Sequence, residues 1–229
     1  MIELHEVASG QLRRRLAGHR SGIHCLAFAN HGKQLISGSE DTTALVWDLT
    51  RPSPTKHAAH ARAGLDALWA DLASTDAVRA YDAVCLLAAA PGESVPYLRK
   101  QLHVAAGLDK ARVSRLIADL DSDKFAVRSN AMRELQELGE IPESDYRKAL
   151  AARPSLEVRQ RLDELLNKLR NLSPDRLRLV RAVEALELAD TPEARRFLAA
   201  LASGAPDARL TKDAKAASER LSRTASTKH

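Results

Sequence analysis

The side chains of this 229-residue chain that could carry chemistry are eight histidines, a run of aspartates and a set of arginines at helical spacing. "DLDSD" places Asp119, Asp121 and Asp123 at the first, third and fifth positions of a calcium-binding loop. Such a loop needs glycine at its sixth position for the sharp turn and a bidentate glutamate at its twelfth, where this chain has Lys124 and Asn130. The aspartates therefore read as helix caps. His57 and His60 would share one face of a helix, but no third ligand lies near them in sequence. "GSEDTT" lacks the lysine and the following helix of a phosphate loop, and there is no G-x-S-x-G elbow and no HExxH pair. The histidines are scattered: His5, His19, His24 and His31, then His57 and His60, then His103 and His229. The sequence thus predicts a protein without catalytic residues, metal or cofactor.

Charge offers a second function class, contact with nucleic acid. The formal net charge is +5, yet residues 1–50 balance five basic against five acidic side chains, and residues 209–229 hold six basic against two acidic. Only +1 remains for the 158 residues between them. The candidate contacts are Arg176, Arg178 and Arg181 in "RLRLVR", and Arg209, Lys212 and Lys215 near the C-terminus. Glu184, Glu187 and Glu193 follow closely, and aromatics make up only 3% of the chain, too few for a base-stacking platform. The balance favours a protein partner over nucleic acid.

Cys25 and Cys85 have neither CxxC nor Cys/His spacing, which predicts two buried free thiols. No apolar run approaches the roughly 18 residues of a membrane span, and "MIELHEVASG" lacks the basic-then-apolar order of a secretory leader. A cytoplasmic protein is the expectation.

The elements that must position these side chains divide the chain in two. Short β-type runs bounded by Gly, Asn and Asp fill residues 1–50, near 2–7, 11–16, 23–29, 34–39 and 43–49, with reversals at "ASGQ", "NHGK" and "SEDT". The stretch "GHRSGIHCLAFANHGKQLISGSEDTTALVWDL" has a Gly-His pair, a strand ending in Phe, a Gly turn, Ser-Gly-Ser, then Asp and Trp-Asp, and it resembles one full WD40 repeat, the blade unit of a β-propeller. The resemblance implies a buried hydrogen-bonded tetrad at His19, Ser37, Asp41 and Trp47, structural in role. It also aligns "IELHEV" with the third strand of a preceding repeat, His5 standing where tryptophan is usual, and "QLRRRLAGH" with an outermost strand. Five strands are little more than one blade, so a ring would need further blades from upstream sequence or another polypeptide.

Residues 51–63, with Pro52 and Pro54, read as a linker. Helical spacing then runs over 64–222, with Ser173 and Thr191 capping helices that open on proline, and 223–229 is expected to be a disordered basic tail. In 119–139, Phe125, Val127, Ala131, Leu135 and Leu138 mark a core face, residues 121–123 a start and Gly139 a stop. That segment resembles a HEAT-type repeat, with a weaker echo in "SLEVRQRLDELLNKL". The predicted fold class is mainly α with a small N-terminal antiparallel β segment: a partial propeller followed by a HEAT/armadillo-like α-solenoid or an irregular helical bundle. The combination resembles the C-terminal end of a large bacterial WD-repeat protein, which implies an interaction scaffold.

Overall fold

The computed structural model describes residues 1–52, 64–105, 107, 109–138, 143–170 and 173–226, and among these it has five strands followed by ten α-helices. The fold class is the expected one, a small antiparallel β segment leading into helices. β1 (Ile2–His5) pairs with β2 (Leu12–Leu16), and a second antiparallel sheet runs in the order β3 (Ile23–Ala29), β4 (Gln34–Ser39), β5 (Ala44–Asp48). β1 stops short of Val7 because the register slips at Leu4/His5 and Glu6 leaves the ladder to turn inward. One 3-10 turn, Asn30–Gly32, reverses β3 into β4, with Asn30 at φ 47° and Gly32 at φ 79°, the left-handed region these two residues tolerate best.

The two sheets close face to face. Leu35 and Leu49 from the second pack on Ile2 and Leu16 from the first, ringed by Leu4, Ile23 and Trp47. This is a small core, and on area alone burying four aliphatic side chains contributes on the order of 10 kcal/mol before chain entropy is subtracted. The strands depend on what lies beside them.

The helices are α1 (Leu65–Asp71), α2 (Ala77–Ala89), α3 (Pro91–Gln101), α4 (Lys110–Asp119), α5 (Phe125–Glu137), α6 (Glu143–Ala151), α7 (Leu156–Arg170), α8 (Pro174–Ala189), α9 (Pro192–Ala202) and α10 (Arg209–Ser226). Proline opens α8 and α9, and the hydroxyls of Ser173 and Thr191 accept the N–H groups of Arg176 and Ala194. Asp76 and Asp109 cap α2 and α4 in the same way. α10 runs past residue 222 to Ser226, so the expected tail is helical up to that point; residues 227–229 lie outside the described residues. The linker residues 53–63, with His57 and His60, and Gly139 also lie outside them.

The helices form two bundles rather than one. Leu68, Leu72, Val84, Leu98, Leu186 and Leu198 belong to a core shared by α1, α2, α3, α8, α9 and α10, while Val113, Leu120, Leu135, Tyr146 and Leu162 belong to a second core built only from α4–α7. The chain leaves the larger bundle after α3 and returns at α8, which packs on α2. A solenoid stacks each hairpin on the next, so the larger bundle follows the irregular alternative. Phe125 departs from its expected core position: as the first residue of α5 it is 71% exposed, under Arg128, and the buried stripe begins further along at Ala131 and Leu135. The start of α5 is also uncapped by a side chain, since the Ser122 hydroxyl accepts the N–H of Lys124 instead.

Candidate functional site

Four side chains spread through residues 19–47 converge between the end of β2 and the second sheet. The Trp47 indole N–H donates to Ser37 Oγ at 2.8 Å, and Ser37 Oγ lies 2.7 Å from His19 Nε2. His19 Nδ1 faces the Asp41 carboxylate at 3.2 Å and Thr43 Oγ1 at 3.1 Å, and the His19 and Trp47 rings meet edge to face with centroids 6.3 Å apart. One direction satisfies every group: indole N–H to serine oxygen, serine O–H to Nε2, Nδ1–H to carboxylate. Asp41 further accepts Thr43 Oγ1 and the N–H of Arg20, and these hydrogen bonds hold its carboxyl well below the usual carboxylate range. Gly18 precedes His19 for a steric reason, because a Cβ there would lie 2.9 Å from Trp47 Cη2 and 3.0 Å from Leu45 Cδ1.

A serine, a histidine and an aspartate in series are the parts of a nucleophilic triad. Here Ser37 is 0% exposed and Trp47 already donates to its oxygen, so an incoming carbonyl has no approach to Oγ. The arrangement can orient strands, and the same sealing removes it from surface chemistry. His5 builds no second copy, since its ring is half exposed and faces the Gly10 carbonyl and Glu3.

A second polar cluster joins strands to helices, and sequence spacing does not reveal it. Arg181 on α8 donates from Nε and Nη2 to Glu6 at 2.9 and 2.8 Å, and from Nη1 to the carbonyls of Leu72 and Ser74. Arg13 on β2 bridges Glu6 at 2.7 Å and Glu184 at 2.6 Å, with its guanidinium 5.1 Å from the centre of the Tyr81 ring. Glu6 and Arg181 are each 1% exposed. Burial pushes the Glu6 carboxyl up, but hydrogen bonds from Arg181, Ser9 and Arg13 outweigh it and bring the pKa down to about 2. The Tyr81 hydroxyl donates to the Leu49 carbonyl at 2.6 Å, tying the exit of the second sheet to α2. The available signal was Arg181 itself, which sits between Leu177 and Ala185 in the buried stripe of α8.

Arg181 therefore leaves the set of candidate contact cations: its charge faces Glu6 in the interior. Arg178 pairs with Asp175 and stacks 5.3 Å over Trp69, and Arg209 pairs with Asp213. Arg176 is half-buried, while Lys212 and Lys215 are exposed on α10. Cys85 is buried as expected and Cys25 is not, because β3 carries it on an uncovered sheet face. Among the described residues no group of three or more His, Cys, Asp or Glu is placed to share a metal ion, and no helix is long and apolar enough to cross a membrane.

The second sheet is open in two directions. Register puts Leu26 and Phe28 on the face of Leu35 and Trp47, and Ala27, Ile36 and Val46 on the other face. Leu26, Phe28, Ile36 and Val46 are exposed. Leu26 and Phe28 are thus an uncovered apolar pair on one face and Ile36 and Val46 a second pair on the opposite face, the kind of surface that marks an interaction site.

Residues 10–48 match the family model described as WD domain, G-beta repeat. Similar proteins include a Periodic tryptophan protein 2 homolog from Neurospora crassa, 43% identical over 54 residues that cover 24% of this chain and 6% of that protein. A Notchless protein homolog from Arabidopsis thaliana is 49% identical over 39 residues, 17% of this chain and 8% of that protein. Protein ROOT INITIATION DEFECTIVE 3 from the same plant is 42% identical over 50 residues, 22% of this chain and 11% of its own length. The matched chain thus spans a small fraction of each of these relatives. No solved structure matches.

Proposed function

We propose that this chain, which carries a WD repeat at residues 10–48, is a non-enzymatic protein-interaction scaffold whose strands form part of a larger propeller. The observation that carries the reading is the pairing of a sealed polar tetrad with an open apolar sheet: the groups able to do chemistry are turned inward, and the groups turned outward can only be packed against. Further blades, from other sequence or another polypeptide, are the partners this geometry suits. α4–α7, two successive helical hairpins with a core of their own, are the portion best described as HEAT-like. Two unpaired cysteines suit a reducing compartment, and we place the protein in the cytoplasm on that basis. Ion pairing of Arg178, Arg181 and Arg209 weighs against nucleic acid.

The test has two arms. Cross-linking of the purified full chain in an extract of its own cells, read by mass spectrometry, is expected to place partner cross-links around β3–β5. Titration with duplex DNA and RNA is expected to give only weak binding; tight binding that salt weakens steeply would replace the scaffold reading with the nucleic-acid one.

A further inference from the structure

The chain crosses twice between the two helical bundles, from α3 to α4 and back from α7 to α8, and the junction differs in kind from the interior of either bundle. The two cores share no side chain: Leu102 belongs to the larger one and Val113 to the smaller. The larger bundle holds the outgoing chain as far as Ala105, whose carbonyl accepts the N–H of Ala205, between α9 and α10, at 3.0 Å. The fit there is close, since a Cβ on Gly204 would stand 3.2 Å from both the N and the O of Ala105. The returning chain is taken up again at Ser173, which caps α8. Beyond Ala105, the join seen among the described residues is an ion pair, Lys110 Nζ to Asp207 at 3.2 Å, with the two side chains 76% and 37% exposed. An exposed pair of this kind is weak and is screened by salt. Parts of a chain that meet without apolar packing are expected to move relative to one another.

We propose that the α4–α7 bundle is a swinging arm, latched against the larger bundle by the Lys110–Asp207 pair and released when that pair is screened or broken. The latch acts on a rigid body. Lys110 is the first residue of α4, and the Asp109 carboxylate fixes that helix start by accepting the N–H groups of Ala111 and Arg112. Arg112 pairs with Glu134 at 2.7 Å near the root of the arm, and at the far end of α4 the Leu120 carbonyl accepts Arg161 Nη1, so the four helices turn together around their own core. α4 has ten residues and spans about 15 Å, which carries the α4–α5 turn well away from the root and makes a small rotation readable there. The motion does not depend on which partner the scaffold binds, so its test stands apart from the scaffold reading.

Single-molecule energy transfer on the full chain reads the arm directly. Dyes are placed at Lys124→Cys and Glu219→Cys, both exposed, in a chain carrying Cys25→Ser; Cys85 is buried and stays unlabelled. At low salt the parent is expected to show a major docked state and a minor released one. Lys110→Glu should lower the ratio of docked to released molecules by about two- to fivefold, the range for an exposed ion pair. Salt at about 0.5 M should move the parent toward the ratio of that variant, and Lys110→Glu combined with Asp207→Lys should restore it. Neither side chain is buried, so these variants should melt within about 2 °C of the parent. A single transfer efficiency that neither salt nor Lys110→Glu shifts, repeated with dyes at Lys124→Cys and Lys212→Cys, would show the bundles fixed and overturn the proposal. Two states whose ratio ignores the charge reversal, or a double variant that stays as low as Lys110→Glu alone, also overturn it, because the pair is then no latch.

Discussion

Glu6→Gln is the most informative single change, because it removes one charge from the cluster that joins strands to helices while keeping the shape. In the native protein the carboxylate accepts two hydrogen bonds from Arg181 and one from Arg13 at 2.7–2.9 Å, with Ser9 as a further donor. The amide has one oxygen and an NH2 group that would face a guanidinium. Arg181, 1% exposed, would then keep its charge with only neutral acceptors, the one amide oxygen and the Leu72 and Ser74 carbonyls. Leaving one member of a buried pair uncompensated costs about 3–5 kcal/mol. For a chain of this size that corresponds to a fall in melting temperature of about 10 °C. The pH dependence carries the sign. Glu6 has its carboxyl depressed in the folded state, from 4.5 to about 2, so its contribution is fully present above about pH 4.5 and is lost as pH falls toward 2. The difference between parent and variant, followed by circular dichroism melts at pH 7, 5, 4 and 3, should therefore be constant down to about pH 5 and shrink below it. Glu6→Gln combined with Arg181→Met should recover much of the loss, since no orphan charge remains. A change under about 2 °C for the single variant, or a double variant that loses as much as the two single changes summed, refutes the view that this cluster couples the strands to the helices.

Three further outcomes follow from the same geometry. Ser37→Ala should lower the denaturant midpoint by an amount equivalent to about 1–3 kcal/mol, because the Trp47 N–H and His19 Nε2 both lose their buried partner; a midpoint unchanged within error would show that the tetrad does not hold the blade. At pH 8 one of the two thiols should react with a water-soluble alkylating reagent in the folded protein. That thiol is Cys25, since Cys85 is inaccessible and burial pushes its pKa up to about 12; mass spectrometry finding Cys85 labelled at the same rate would contradict its placement. Residues 107–172 expressed alone should give a helical spectrum and a cooperative melt, because α4–α7 bury Val113, Leu120, Leu135, Tyr146 and Leu162 among themselves; a sloping, featureless melt would show that the larger bundle is needed.

The strands were legible because their signals are local. The Asn-His-Gly and Asp-Thr reversals sit between apolar runs, and β3 and β4 span the residues expected of them, 23–29 and 34–39. The tetrad positions could be named for the same reason, as fixed offsets within about thirty residues. Glu6 and Arg181 lie 175 residues apart, and each looks like a surface charge when its own neighbours are read alone. Only the position of Arg181 between Leu177 and Ala185 carried a hint, since an arginine inside a buried stripe requires an acid from elsewhere. The division into two bundles was hidden for a related reason. Every helix from α4 to α7 has an ordinary apolar face, and nothing in such a face records whether it meets the next helix or one returning far along the chain. Phe125 shows the limit at single-residue scale: spacing put it on the stripe, but its position at the first turn of α5 places it beyond the packed region.

The helices resolve the difficulty posed by so few strands. A sheet of three strands over one of two has too little mutual burial to stand alone, and its edges invite unplanned pairing. Here α2 packs along β2, Tyr81 holds the Leu49 carbonyl where the chain leaves β5, and Lys33 reaches Asp190 at the end of α8. These contacts act along β2, at the exit of β5 and at the β3–β4 reversal. The helical bundle thus holds both sheets, while Leu26 and Phe28 on β3 stay exposed. Because the Glu6 cluster ties the first sheet to α8 and the Lys33–Asp190 pair ties the second, the entropy of ordering the strands falls on folding of this chain and not on any later association.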